Sequence, residues 1–251
     1  MPPIKASINE LSTIQKVFDI SEAATKEAGQ EYTFLTFDLP VAKKAYHIMW
    51  QNPGKYEKFV IHLGAFHTML SYLGAIGKSI KESGFEEIVC EAGLCASGSM
   101  DRVLSGKHYN RSLRVHTVMT EALEMLLFDY FLQCTDKQGL VQELLKVVLP
   151  FKVELTNKEF TEVTESDAFI DLFSEYEYFK QLVRNGSKGK TAQFWLQYMD
   201  HVWLLLQFSY ATRHNNFALH MQKQKEVLLG LVKICQHTIG AVQPVTNGHN
   251  M

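Results

Sequence analysis

The chain has 251 residues, of which 46% are hydrophobic and 12% aromatic, so it can bury a sizeable core and is not globally disordered. With 25 Lys and Arg residues against 27 Asp and Glu residues, its formal net charge is −2, which excludes a strongly basic DNA-coating protein. Any contact with nucleic acid must therefore come from a local basic patch.

The composition along the chain predicts an intracellular protein, nuclear or cytoplasmic, without a membrane partner. The sequence shows no charged leader followed by an apolar run, and its longest apolar stretch, residues 194–211, is interrupted by Asp200 and His201. The four cysteines form neither a CxxC pair nor a dense disulfide framework, which favours reduced thiols.

The first elements are a helix and a strand. Residues 1–30 are predicted to be a polar amino-terminal segment with one amphipathic helix that starts near Ser21 and ends at Gly29. Residues 31–39 (EYTFLTFDL) are rich in Tyr, Thr and Phe and predict a strand that stops before Pro40. Strand alternation places its even-numbered side chains on one face and its odd-numbered side chains on the other.

This strand opens an α/β unit over residues 31–90. Gly74 and Gly77 fall within its second helix, over residues 66–81, and would allow close helix packing. Residues 86–90 fit either a further strand or the start of a helix. The remaining elements are a helix over residues 41–51, an apolar strand (FVIHL) over 59–63 and a helix over 66–81. Their order predicts a parallel strand pair with helical crossovers.

Residues 91–242 are predicted to be a mostly helical, insertion-like region, too long for an ordinary connection. Residues 94–106 are typical of a loop, and residues 243–251 of a frayed tail. The predicted helices start near residue 112 and continue over residues 140–149, 168–183, 192–210 and 226–239. The fold class is therefore an α/β unit followed by a mostly α-helical region, predominantly helical overall.

Asp38 is the strongest candidate for chemistry. It lies at the carboxyl end of the first strand, on the rim where α/β folds place their sites. A carboxylate there can hold Mg²⁺ or Mn²⁺, which prefer oxygen ligands. The alternative is that Asp38 caps the helix that begins near Pro40.

Two histidines flank the end of the second strand. His67 follows the strand and could orient a site at its end, whereas His62 lies within it. An odd spacing of five residues would put the two on opposite sides of a continuous strand, which argues against a shared metal. Each could instead be a hydrogen-bonded structural imidazole. A hydrolase with either histidine as its base is a third option, although no nucleophile motif accompanies them.

One stretch, residues 102–116, carries basic residues and no acid. It predicts either a surface that contacts phosphates or a solvated helix face. Residues 154–177 have the opposite character, with eight acids against one Lys. The candidate nucleic-acid contacts are Arg102, Lys107, Arg111 and Arg114.

An aromatic stripe in the helix over residues 192–210 is interpreted as core packing. If Trp195 and Trp203 were exposed, they would instead indicate a binding surface for a partner or a second copy of the chain. The stripe consists of Phe194, Trp195, Tyr198, Trp203 and Phe208.

The runs TFDLPVAKKAYHIMW, FVIHLGAFHTMLSYLGAIGKSIKESGFEE and SGKHYNRSLRVH resemble a poorly characterised, multi-copy family of animal proteins of mobile-element origin. The resemblance covers roughly residues 1–133. A more distant similarity links the layout to RNase H-like transposases of the mutator-like and hobo–Activator–Tam groups. In those proteins a strand ends in the second catalytic Asp, and a helix, a strand, a motif that ends in His and a large helical insertion follow.

On this resemblance Asp38 would share Mg²⁺ or Mn²⁺ ions and His67 would orient the site. Two-metal phosphoryl chemistry needs several carboxylates. The positions for the first and third acids are weakly filled, because Asp19 falls in a helical context and Glu226 is the only acid after Asp200. The resemblance therefore implies a partial RNase H-like core that is catalytically incomplete.

The resemblance thus implies a transposase-derived protein, a fragment or degenerate copy whose ancestral role was metal-dependent DNA strand cleavage and transfer, inactive alone. Its partners would be DNA, through the basic residues, and a second copy of the chain. The alternative is a non-enzymatic helical protein-interaction domain, in which Asp38 is a helix cap and the histidines are structural. Whether an enzymatic activity survives is left open.

Overall fold

The computed structural model describes residues 6–8, 10–139, 141–143 and 157–240. Helices make up most of this part of the chain, so the prediction of a predominantly helical protein is confirmed. The chain divides into two compact units, each built from separate segments. Unit 1 comprises Met1–Ser79, Leu104–Tyr109 and Gln207–Met251, and unit 2 comprises Ile80–Val103 and Asn110–Leu206.

Unit 1 contains both strands and the helices that surround them. The strands are parallel and in register from Thr33 opposite Phe59 to Phe37 opposite Leu63, as the strand–helix–strand order predicts. In chain order its elements are α1 (Leu11–Glu27), β1 (Thr33–Phe37), α2 (Leu39–Gln51), β2 (Phe59–Leu63), α3 (Ala65–Ser79) and α10 (Phe217–Gly240).

One face of the two-stranded sheet is buried under α1 and α2. The odd-numbered residues of both strands point to this face, as strand alternation requires. The ring of Phe18 lies 5.1 Å from that of Tyr56 and 5.0 Å from that of Phe59. Each large side chain buried here contributes about 1.5–3 kcal/mol. The buried cluster consists of Ile14, Phe18, Val41, Ala42, Ala45, Ile48, Tyr56, Phe59 and Ile61.

The opposite face of the sheet is only partly covered. Phe34 is exposed there, and its ring stacks on that of His62, with 6.0 Å between the centroids. At the strand end, Gln224 of α10 donates a hydrogen bond of 2.8 Å from Nε2 to the carbonyl of Leu63. Polar and aromatic groups therefore meet at the carboxyl end of the sheet.

Helix α3 packs closely against two other segments of unit 1 through small residues. A Cβ added at Gly77 would lie 2.0 Å from the carbonyl oxygen of Leu104, and one added at Gly230 of α10 would lie 2.7 Å from the hydroxyl of Tyr72. Gly106, with φ of +71°, brings its own backbone against the carbonyl of Leu70. These contacts bring the neighbouring segments close to α3, and we call them the α3 glycine seam.

Unit 2 is helical throughout its described part. The residues of helix α9 up to Leu206 belong to unit 2, and those from Gln207 onward belong to unit 1. Residues 86–90, for which a strand or a helix was predicted, are helical, and Gly84 precedes them with φ of +88°. The helices are α4 (Phe85–Glu91), α5 (Met100–Leu104), α6 (Tyr109–Cys134), α7 (Asn157–Thr164), α8 (Asp167–Arg184) and α9 (Lys190–Arg213).

The predicted strand over residues 31–39 is shorter in the structure, Thr33–Phe37, and three other predictions differ more strongly from it. Helix α1 begins at Leu11 rather than near Ser21, because its stripe of Ile14, Phe18 and Ser21 is buried together. The predicted loop at residues 94–106 contains the short helix α5. Helix α10 begins at Phe217, well before residue 226, the predicted start.

Two predictions concern residues largely or wholly outside the described part, the helix over 140–149 and the tail over 243–251. Among the residues that the structure describes, no helix is long and apolar enough to cross a lipid bilayer.

We expect Gly77→Ala to destabilise the protein, although Ala favours helix by up to about 1 kcal/mol over Gly. The new methyl group would meet the Leu104 backbone carbonyl, which cannot move aside as a side chain can. Overpacking of this kind costs about 1–3 kcal/mol. The measurement is urea unfolding, with Gly54→Ala as the control because a Cβ at Gly54 meets nothing within 4 Å. Equal urea midpoints for Gly77→Ala and Gly54→Ala would contradict the close contact between Gly77 and Leu104.

Candidate functional site

Asp38 is the N-cap of α2. Its backbone is extended, with φ of −69° and ψ of 164°, and its Oδ1 accepts a hydrogen bond of 3.0 Å from the backbone N–H of Val41. Pro40 falls in the first turn, where a missing N–H costs nothing. This geometry is the capping role that the sequence left open beside the metal role.

The surroundings of Asp38 do not fit a two-metal centre. Such a centre needs carboxylates that bridge two ions. In the described part of the chain, no group of three or more His, Cys, Asp or Glu side chains is placed to hold a metal ion. We therefore derive no chemical step through Mg²⁺ or Mn²⁺ at this position.

His67 lies in the first turn of α3 and is exposed to solvent. Its ring contacts that of its neighbour Phe66, with 5.9 Å between the centroids. His67 and Asp38 are not joined by a hydrogen bond. The structure therefore brings no acid–base pair together from the two residues that the resemblance assigns to catalysis.

The four candidate nucleic-acid contacts are all exposed but belong to different units. Arg102 on α5 and Arg111 and Arg114 on α6 lie in unit 2, whereas Lys107 lies in unit 1. Arg111 and Arg114 are neighbours one turn apart on the helix surface. Arg111 also donates to the hydroxyl of Ser99 at 3.4 Å.

His116, at the end of the basic stretch, lies in the core of unit 2. It is completely buried, its ring stacks on Phe85, and its Nδ1 lies 2.9 Å from the hydroxyl of Tyr198. Its Nε2 is buried and has no hydrogen-bond partner among the described residues. Burial lowers the pKa of His116 to about 4 and raises the pKa of Tyr198.

The aromatic stripe of α9 is only partly core. Tyr198 and Phe208 are buried, whereas Phe194 and Trp195 are half-buried. Trp203 is the most exposed of the five, with 38% of its surface accessible. It opens onto a shallow groove of unit 2, which we call the α6 groove.

The α6 groove is apolar at its base and acidic at its edge. Its volume is about 370 Å³. Met125, which lines the groove, is 74% exposed. Leu126, the next residue of α6, is 66% exposed and lies outside the lining. Glu121 is exposed at the edge and has no hydrogen-bond or ion-pair partner within the described ranges. The lining residues are Glu121, Glu124, Met125, Phe128, Tyr176 and Trp203.

A polar network holds one side of the α6 groove in place. Glu124 accepts hydrogen bonds from the hydroxyl of Tyr176 at 2.9 Å and from Nζ of Lys180 at 3.2 Å. Lys180 also pairs with Glu177 at 3.2 Å. Burial, followed by the Glu124 carboxylate, raises the pKa of Tyr176, so its hydroxyl stays protonated and donates.

A second concave feature lies in unit 1, at the carboxyl ends of the parallel strands, and we call it the strand-end cavity. Its volume is about 420 Å³. It collects the side chains of Thr36 and His62 from the strands, Thr212 from α9, Asn215 from the turn that follows, and His220 from α10. Parallel α/β folds place ligands at this edge of their sheets.

Two parts of these features were not predicted from the sequence. No role was predicted for His220 or Thr212, because the start of α10 was predicted too late. The signal was Asn216, whose Oδ1 accepts from the N–H of Leu219 at 3.1 Å and so caps α10. Nor was a role predicted for Met125 or the adjacent Leu126, whose apolar character resembles that of a buried helix face.

A model of a protein family described as a domain of unknown function (DUF8702) matches residues 1–230 of the chain. The matched stretch includes segments of both compact units. No curated protein and no solved structure matches the chain.

We expect His116 to make the protein sensitive to acid. Its ring stays neutral when folded, whereas in the unfolded chain it takes up a proton below about pH 6.5. Above that pH it contributes nothing, and between pH 6.5 and pH 4 it lowers the free energy of unfolding by about 3 kcal/mol in total.

The measurement is urea unfolding of the wild type and of His116→Gln at several pH values. As the pH falls through this range, the free energy of unfolding should decrease more for the wild type than for His116→Gln. Parallel curves would contradict the assignment.

Proposed function

We propose that the chain, which belongs to this family of unknown function (DUF8702), is a non-enzymatic protein-interaction domain. Its binding surface is the α6 groove, and its partner is an apolar helical segment edged by Lys or Arg. The observation that carries the proposal is the exposure of Met125, which lines this groove together with Trp203. Large apolar side chains grouped on a surface are typical of interaction sites.

The composition of α6 supports this assignment. Its residues 125–132 (MLLFDYFL) are apolar around most of the helix, a pattern typical of a helix that is buried on several sides. In unit 2, however, this stretch leaves Met125, Leu126 and Tyr130 exposed. A bound partner would remove these side chains from water at about 25 cal/mol per Å² of apolar surface.

The acidic residues at the α6 groove indicate that its partner should carry positive charge. Glu121 is unpaired among the described residues, and the acids Glu124 and Glu177 share a single Lys180. A partner with Lys or Arg beside its apolar face would meet complementary charge. Two copies of the chain joined groove to groove would bring acidic edges together, which favours a different protein as the occupant.

Binding of a synthetic amphipathic helical peptide tests the groove. The peptide carries Leu on one face and Lys at both edges, and Trp203 serves as the fluorescent reporter after Trp50 and Trp195 are replaced by Phe. We expect saturable binding that weakens at least about ten-fold in Met125→Glu, because the introduced carboxylate would be desolvated at an apolar contact. Leu229→Glu, at an exposed apolar position of α10 in unit 1, is the matched control.

A second peptide, with Glu in place of Lys, tests the acidic edge and should bind more weakly at low salt. Equal binding of the two peptides would contradict the proposed partner chemistry, and no binding of either would contradict the groove. Self-association that is lost in Met125→Glu would identify a second copy of the chain as the occupant instead.

We propose transposase ancestry as a second candidate. The observation that favours it is the order of β1, Asp38, α2 and a parallel β2, with a long helical region after them. In that case unit 1 would keep part of an RNase H-like sheet, and Arg111 and Arg114 would contact DNA phosphates. A lone carboxylate that caps a helix is consistent with a remnant that does not cleave DNA alone.

Substitutions of Asp38 separate the two candidates. If Asp38 acts only as a cap, Asp38→Ala should cost about 1 kcal/mol of unfolding free energy, and Asp38→Asn should keep most of it, since Asn is also a good cap. Mn²⁺ binding, followed by water-proton relaxation, should then be equal in the wild type and Asp38→Asn. A selective loss of Mn²⁺ binding in Asp38→Asn would support the ancestral metal role and would contradict the hypothesis that Asp38 is only a helix cap.

A further inference from the structure

The strand-end cavity holds two imidazoles that neither proposed function uses. His62 comes from β2 and His220 from the first turns of α10, far apart in the chain. Both line the same cavity of unit 1, together with the hydroxyl-bearing Thr36 and the amide-bearing Asn215. The fold therefore brings nitrogen and oxygen donors from four segments to one opening.

The ring of His220 is anchored by one hydroxyl group. The hydroxyl of Thr212 lies 2.8 Å from the carbonyl of Phe208 and 3.0 Å from Nδ1 of His220. When this hydroxyl donates its one proton to the Phe208 carbonyl, it accepts from Nδ1–H, which leaves a free lone pair on Nε2 for a ligand. This is how proteins orient histidines that ligate metals.

His62 is held by packing rather than by hydrogen bonds. Its ring stacks on Phe34 at an interplanar angle of 23°, beside Thr36, its register partner on β1. Neither of its ring nitrogens has a hydrogen-bond partner in the described part of the chain. A half-buried imidazole without such a partner is open to an external ligand.

We propose that the strand-end cavity binds one borderline divalent transition-metal ion, of the Zn²⁺ class, through Nε2 of His220 and a ring nitrogen of His62. Imidazole nitrogen suits such ions, whereas Mg²⁺ and Ca²⁺ prefer carboxylate oxygen. The described residues that line the cavity include no carboxylate, so hard cations are disfavoured there. Water entering from the open side completes the coordination.

Calorimetric titration of Zn²⁺ into metal-free, tag-free protein tests the proposal. We expect one saturable site that is lost in both His62→Gln and His220→Gln, which keep a polar side chain. Thr212→Val should weaken binding about ten-fold, because it removes the acceptor that orients His220. His67→Gln, at an exposed histidine of the same unit outside the cavity, should bind as the wild type does.

Each other outcome would overturn the proposal. Unchanged binding in His62→Gln and His220→Gln would mean that Zn²⁺ binds elsewhere on the surface, and loss in only one of them would mean a single-imidazole contact. No saturable binding to the wild type would remove the site altogether. Circular dichroism of each variant separates lost binding from lost folding.

Discussion

The close approach of backbones along α3 is the constraint on which the rest of unit 1 depends. Gly77 lets the carbonyl of Leu104 reach the helix, and Gly106 seats its own backbone against the same helix. On α10, Gly230 makes room for the buried ring of Tyr72. Because these three glycines have no side chains, residues 104–106 and α10 can both pack against α3. Helix α10 in turn supplies His220 to the strand-end cavity. Glycines, which have no reactive side chain, thus allow the packing that brings His62 and His220 to the same cavity.

The two-stranded sheet of unit 1 is covered on one side only. The covered face contributes to the stability of the unit, and the open face is available for binding. The face toward α1 and α2 is a dense aromatic and aliphatic core around Phe18. The other face offers Phe34, His62 and the end of the strands to solvent or ligand. Unit 2 shows the same division in helical form, because His116 and Tyr198 lie in its interior while Met125 and Trp203 reach its surface.

The sequence predicts the local elements well, whereas the two concave features arise from tertiary contacts. The apolar run FVIHL defines β2 at the predicted residues, and alternation correctly assigns the faces of β1, because both depend on neighbouring residues. Ser21 misplaced the start of α1, since a serine can be buried inside a helix as well as cap it. The strand-end cavity depends on α10 meeting β2, a tertiary contact that no local pattern encodes, and the exposure of Met125 likewise follows from packing alone.

The discontinuity of unit 1 has a consequence for synthesis on the ribosome. Its β-strands emerge early, but the helix that carries Gly230 and completes the seam against Tyr72 emerges near the end of the described chain. All the segments of unit 2 leave the exit tunnel before that helix does. The nascent chain must therefore carry a half-covered strand pair while the intervening helices form, and long-range closures of this kind slow folding and expose strand edges to aggregation. Until α10 emerges, the side of Tyr72 that Gly230 covers in the folded protein therefore stays uncovered.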